Sequence, residues 1–185
     1  LANMLYRVTP VPYEAFADAI EAVYHRRIPL PSLLRFGTWV GGDMDGNPNV
    51  GATTVRDALA AQRAQALACY QSDLRALGDI LTQSEERVGF DAAIIERTET
   101  YKSLLPDGAV RARPRLADMP YRQLLGQMRG RLAATSSGGA GAYPDAEAFI
   151  VDLELIDASL ARHRGDQAGR FALQRVLWRA RTFGF

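Results

Sequence analysis

The chain has 185 residues, 48% of them hydrophobic and 23% charged, which is enough to bury one sizeable core and places it among globular proteins. With 22 basic against 21 acidic side chains the net charge is +1, so no overall field draws in nucleic acid or an anionic membrane, and neither is expected as a partner. The single cysteine, Cys69, excludes an internal disulfide and a cysteine-rich zinc site. No run of about 18 apolar residues and no signal-peptide pattern is present, and the expected compartment is the cytoplasm. The chain starts at Leu1 and stops in the apolar run Thr182-Phe183-Gly184-Phe185, and both ends are expected to continue into a longer protein.

Pro12 followed by Tyr13 to Tyr24 predicts a helix, with proline in the first turn and Phe16, Ile20, Val23 and Tyr24 as its apolar positions. His25, Arg26 and Arg27 supply cations at its carboxyl end, and Pro29 and Pro31 stop it. Leu33 to Val40, with Phe36 and Trp39 inside, is the best strand candidate. The glycine-rich run from Gly41 to Asn47 follows at once. Thr53 or Thr54 can cap a long helix reaching Gln83, through Val55, Leu59, Ala66, Leu67, Tyr70, Leu74, Leu77 and Leu81. Cys69 lies within it among alanines and reads as a packing residue.

A shorter helix is predicted from Asp91 to Leu105, closed by Pro106-Asp107-Gly108, and another from Tyr121 to Ala134 with Leu124, Leu125, Met128 and Leu132 apolar. Residues 135–143, rich in serine and glycine, read as a flexible linker. Asp145 opens an amphipathic helix to His163, and a last helix runs from Asp166 to Arg181. His25 and His163 both sit at helix ends, where a cation is favoured by the dipole. A mainly helical chain with one strand leaves that strand without a partner, so its sheet is expected to be completed elsewhere.

The run Gly41-Gly42-Asp43-Met44-Asp45-Gly46-Asn47 admits several chemistries. A calcium loop needs glycine at position 6 and a bidentate glutamate at position 12. Counting from Asp43, glycine falls at position 4 and Thr54 at position 12, so calcium is excluded. A phosphate loop needs Gly-Lys-Ser/Thr, and this run has no lysine and two aspartates that would repel phosphate. Two readings stay open on composition: a loop at the carboxyl end of a barrel strand, where active sites gather, or a plain turn with Asx-type bonds and a core tryptophan.

The same residues carry a resemblance. Phe36 to Val50 resembles the Ser/Thr-Trp-x-Gly-Gly-Asp-Arg-Asp-Gly-Asn-Pro signature of the phosphoenolpyruvate carboxylase family. Met119-Pro120-Tyr121-Arg122, followed by Leu124, Leu125, Arg129, Arg131 and Leu132, is similar to that family's Pro-Tyr-Arg helix. The resemblance implies that residues 1–185 are an internal fragment of a single catalytic domain. The fold class it implies is mainly α: the helical segment of a (β/α) barrel enzyme with extra helices, one barrel strand near residues 33–40 and the start of the next at the C-terminus. The implied parent is a carboxy-lyase joining phosphoenolpyruvate and bicarbonate to give oxaloacetate and phosphate, an anaplerotic fixation of carbon dioxide feeding the tricarboxylic acid cycle. It uses Mg²⁺ or Mn²⁺ and is a homotetramer.

On this resemblance Trp39, Gly41, Gly42, Asp43, Asp45 and Asn47 line one side of the substrate pocket, whereas the catalytic set and the metal ligands lie outside these residues. The fragment alone is therefore expected to be inactive. Arg122 matches a position that belongs to a sugar-phosphate activator site in plant relatives, against the plainer reading of an exposed helical arginine. Met44 departs from the family's usual arginine, which removes a planar cation between two aspartates. The rival reading is a non-enzymatic helical adaptor that docks through the helix from Thr53 to Gln83.

Overall fold

A computed structural model describes residues 2–43, 45–46, 48–106 and 118–185. The helices are α1 (Ala2–Val8), α2 (Pro10–Tyr24), α3 (Ala52–Ile80), α4 (Ala92–Leu104), α5 (Pro120–Ser137), α6 (Ala146–Arg162) and α7 (Arg170–Phe183), with a 3₁₀ turn at Gly165–Gln167. Every helix expected from the apolar spacing is present. The short α1, which carries no cap signal, was not anticipated. Pro106-Asp107-Gly108, expected to close α4, falls partly outside the described residues.

α3 packs on α5 and α7, α5 also on α4, α6 on α7, and α2 on α7. The main core joins Leu67, Tyr70, Leu74 and Leu77 of α3 to Leu124, Leu125, Met128 and Leu132 of α5, Phe149, Leu153 and Ile156 of α6, and Leu173 and Val176 of α7. A second cluster stacks Tyr13 of α2 on Trp178 of α7, ring centroids 5.4 Å apart, with Leu30 beside them. Only the second half of the 29-residue α3 is buried; Leu59 in its first half is exposed, so α3 projects beyond the core.

No strand occurs among the described residues, which corrects two expectations. Residues 33–39 are irregular, and residues 182–183 are the end of α7 rather than the start of a strand, with Gly184 at φ 56° terminating the helix. The reason is the one that made the lone strand conspicuous: no neighbouring strand offers donors and acceptors here. Side chains take that place. The buried Tyr13 hydroxyl accepts from Leu33 N at 3.0 Å and pairs with Thr182 Oγ1 at 2.9 Å, and Arg181 donates to Leu30 O at 3.1 Å.

Residues 135–143 also differ from the expected linker. α5 continues to Ser137 and stops at Gly138, whose φ of 68° is the left-handed cap that glycine favours. Gly141, at φ 79°, approaches Leu104 so closely that a Cβ would lie 2.9 Å from its carbonyl oxygen. Arg131 donates to the carbonyls of Gly141 and Ala142 at 3.0 and 3.1 Å, and its guanidinium lies 3.9 Å from the Tyr143 ring centroid. Tyr143 N donates to Thr135 Oγ1 at 2.8 Å.

The Tyr143 hydroxyl in turn donates to Asp152 at 2.6 Å. Asp152 of α6 is 0% exposed and also accepts from the Tyr101 hydroxyl at 2.7 and 2.8 Å and from Arg97 of α4 at 2.5 Å. Burial, and then the Asp152 charge, raise the Tyr143 phenol well above its ordinary pKa, so it remains a donor. Asp152→Ala removes the shared acceptor and leaves buried donors unpaired. It is expected to cost about 3 kcal/mol of stability in urea denaturation, and a loss below about 1 kcal/mol would contradict the clamp.

Candidate active-site loop

The approach to the glycine-rich loop is fixed on α7, where Phe36 stacks on Phe183 with centroids 5.4 Å apart. The chain then turns. Thr38 Oγ1 accepts from Val40 N at 3.1 Å, and Trp39 O accepts from Gly42 N at 3.0 Å. In that turn Gly41 occupies the third position with φ 73°, the left-handed conformation that a type II turn requires there. A Cβ on Gly41 would stand 2.6 Å from Ala58 Cβ and 3.2 Å from Thr54 O, so only glycine lets the turn lie against α3.

The far end of the loop is closed by Thr54. Its Oγ1 donates to Asn49 O at 3.2 Å and accepts from Gly51 N at 3.4 Å. The sequence points to Thr53 or Thr54 as a cap, but Gly51 is the N-cap residue and Thr54 acts from the first turn. The loop is therefore held at three places: on α7 through Phe36, on the first turns of α3 through Gly41, and at its exit through Thr54.

Trp39 stands at the tip of this arrangement, 81% exposed, with Val40 also exposed beside it. Trp39 is therefore not part of the core that this chain forms; the buried indole is Trp178. Gly42 is half-buried, whereas Asp43 and Asp45 are exposed and neither bonds to another described residue. Asn47 and Met44 lie outside the described residues. Among the described residues no group of three or more His, Cys, Asp or Glu is placed to hold a metal ion.

Arg122 is not part of this site. It donates to Asp79 at 3.2 Å and ties α5 to the carboxyl-terminal end of α3, whereas the loop sits at the amino-terminal end. At 1.5 Å per residue the two places are about 40 Å apart along α3. His163 is half-buried and pairs with Asp91 at 3.1 Å; His25 caps α2 in a left-handed conformation at φ 52°. Tyr13 holds the approach to the loop, and nothing in its spacing in the sequence distinguishes a hydroxyl anchor from a core ring.

A family model for phosphoenolpyruvate carboxylase matches residues 1–185, the whole chain. The chain belongs to the phosphoenolpyruvate carboxylase family. It is 51% identical over 185 residues to a phosphoenolpyruvate carboxylase of Xanthomonas euvesicatoria, covering all of this chain and 20% of that protein. A phosphoenolpyruvate carboxylase of Burkholderia vietnamiensis is 32% identical over 191 residues, covering 92% of this chain and 18% of that protein. The chain thus spans about a fifth of the length of the curated phosphoenolpyruvate carboxylases it matches. Among the described residues no helix is long and apolar enough to cross a membrane.

Because the Trp39 side chain packs on so little, Trp39→Ala is expected to shift folding stability by no more than about 0.5 kcal/mol. Urea denaturation followed by circular dichroism checks this. A loss above about 2 kcal/mol would return the indole to the core.

Proposed function

We propose that this chain forms one wall of the substrate pocket in a phosphoenolpyruvate carboxylase, with Trp39, Gly41, Gly42, Asp43, Asp45 and Asn47 on that wall. The observation that carries the reading is an exposed indole at the tip of a loop anchored on two helices, within a segment matched to the family along its whole length. An apolar ring fixed by its backbone yet unused by the core is suited to cover a substrate supplied with the rest of the enzyme. The first half of α3, equally unburied, extends the same uncovered surface.

In the reaction proposed for the parent, a bicarbonate oxygen attacks the phosphorus of phosphoenolpyruvate. The bond from phosphorus to the enol oxygen breaks, giving carboxyphosphate and the enolate of pyruvate. Carboxyphosphate then loses phosphate and releases carbon dioxide, and the enolate carbon forms a bond to it, yielding oxaloacetate. The enolate must not meet water in the interval, because a proton delivered to its methylene carbon gives pyruvate and wastes the phosphoryl bond. Trp39 contributes by covering the methylene and excluding water. Gly41 and Gly42 let the backbone approach closely, and Asp43, Asp45 and Asn47 shape the loop's polar edge.

The divalent metal, Mg²⁺ or Mn²⁺, takes its ligands from residues beyond this chain in this reading, as do the catalytic groups, and the parent is a cytoplasmic homotetramer. Arg122 is the second candidate position, for a sugar-phosphate activator, and would have to leave Asp79 to bind it. Met44 replaces the arginine usual in the family, and Met44→Arg is not expected to raise the activity of the parent.

The test is a product ratio. In the full-length enzyme carrying this sequence, Trp39→Ala is expected to lower oxaloacetate formation by about tenfold to a hundredfold and to raise the share of turnovers ending in pyruvate. Unchanged rate and unchanged partition would contradict the assignment. The purified 185-residue chain is expected to form no oxaloacetate.

A further inference from the structure

A cleft of about 410 Å³ opens at the opposite end of α3 from the glycine-rich loop. It lies between the segment that follows α3, the carboxyl end of α6 and the 3₁₀ turn, and its wall includes Gln83, Arg87, Tyr121, Arg162, His163 and Arg164. No carboxylate is among the described residues that line it. Glu85 and Glu86 precede Arg87 in the chain but are not part of the wall.

The cations here are of two kinds. Arg162 and His163 are held by Asp91, to which Arg162 Nε donates at 3.0 Å and His163 Nε2 pairs at 3.1 Å. The Arg162 hydrogen bond, aided by His163 and opposed by burial, keeps the Asp91 carboxyl below its ordinary pKa, so that acid remains charged. These two side chains also suit the carboxyl end of α6, where cations are favoured. Arg87 and Arg164 have no such explanation. Both are exposed, neither makes a side-chain hydrogen bond or ion pair to a described residue, and neither belongs to a helix.

The backbone brings them to one place. Arg164 adopts φ 60°, a left-handed conformation unusual for a non-glycine residue, directly after His163. Gly89 lies so close to the His163 ring that a Cβ would stand 2.9 Å from Nδ1, which lets the segment with Arg87 close against the end of α6. Gln83 fixes the floor by donating from Nε2 to Ala168 O at 2.7 Å, and its buried Oε1 finds no partner among the described residues. Guanidinium groups on a concave wall without carboxylates focus a positive potential and offer paired donors to an oxyanion.

We propose that this cleft binds a small organic oxyanion, a phosphate or carboxylate compound, through Arg87 and Arg164. The volume suits a molecule larger than a bare inorganic ion. The site is independent of the carboxylase reading, since its test measures binding and not turnover.

The experiment is calorimetric titration of the 185-residue chain, at low ionic strength and without phosphate buffer, with glycerol 3-phosphate, succinate and uncharged glycerol. Saturable one-to-one binding of either anion with a Kd of about 1 mM or tighter, and none of glycerol, is expected. Which anion binds more tightly identifies the headgroup as phosphate or carboxylate. The double variant Arg87→Gln/Arg164→Asn, with helicity checked by circular dichroism, is expected to weaken binding by about tenfold or more. If the double variant does not fold, each single variant is judged by a loss of about threefold. Absence of saturation by both anions, equal binding of glycerol, or unchanged affinity in the folded variants overturns the proposal.

Discussion

Asp152 is a carboxylate sealed inside a helical core, and the arrangement of α4, α5 and α6 answers to the need to satisfy it. A buried charge is tolerable only when its lone pairs are filled. Tyr101 and Arg97 come from α4, and Tyr143 from the segment between α5 and α6. Arg131 of α5 lies against both phenol rings and spends its own donors on the carbonyls of Gly141 and Ala142. Polar geometry therefore fixes how these helices meet, while the apolar contacts of Leu124, Met128, Phe149 and Leu153 supply the bulk of the burial.

A parallel set of contacts holds the other side. Asp73 of α3 accepts from the Tyr6 hydroxyl of α1 at 2.7 Å and from Arg179 of α7 at 2.9 Å, and Glu14 of α2 pairs with Arg175 of α7. α7 is thereby fixed in position, and it carries the ring of Phe183 on which Phe36 rests. Order passes outward from the core through α7 to the glycine-rich loop. That continuity lets Trp39 be both exposed and positioned.

The helices were legible in the sequence because their apolar residues recur with helical spacing and the starts of three are marked by Pro12, Asp91 and Asp145, whereas the last begins at Arg170 and not at the expected Asp166, where a 3₁₀ turn lies instead. Leu33 to Val40 misled because aromatic and β-branched residues favour a strand only where a neighbouring strand can pair with it, and here Leu33, Phe36, Trp39 and Val40 are exposed. The distant contacts this segment does make include those from the Leu33 and Leu34 amides to Tyr13 and from Phe36 to Phe183. Residues 135–143 misled for the opposite reason. Their serines and glycines suggest freedom, but Gly138 and Gly141 occupy left-handed positions in a packed turn, and Tyr143 is pinned by an acid nine residues on. For the loop itself, the glycine framework was readable from ligand spacing and motif, whereas the exposure of Trp39 depended on packing that no local pattern encodes.

The most direct measurement is amide hydrogen exchange at Tyr143, whose N–H donates to the buried Thr135 Oγ1. If the Asp152 clamp orders this segment, that amide exchanges as slowly as those in the interior of α5, and far more slowly than the exposed amides around Asp45. Exchange of the Tyr143 amide at the rate of an unstructured chain would contradict the account.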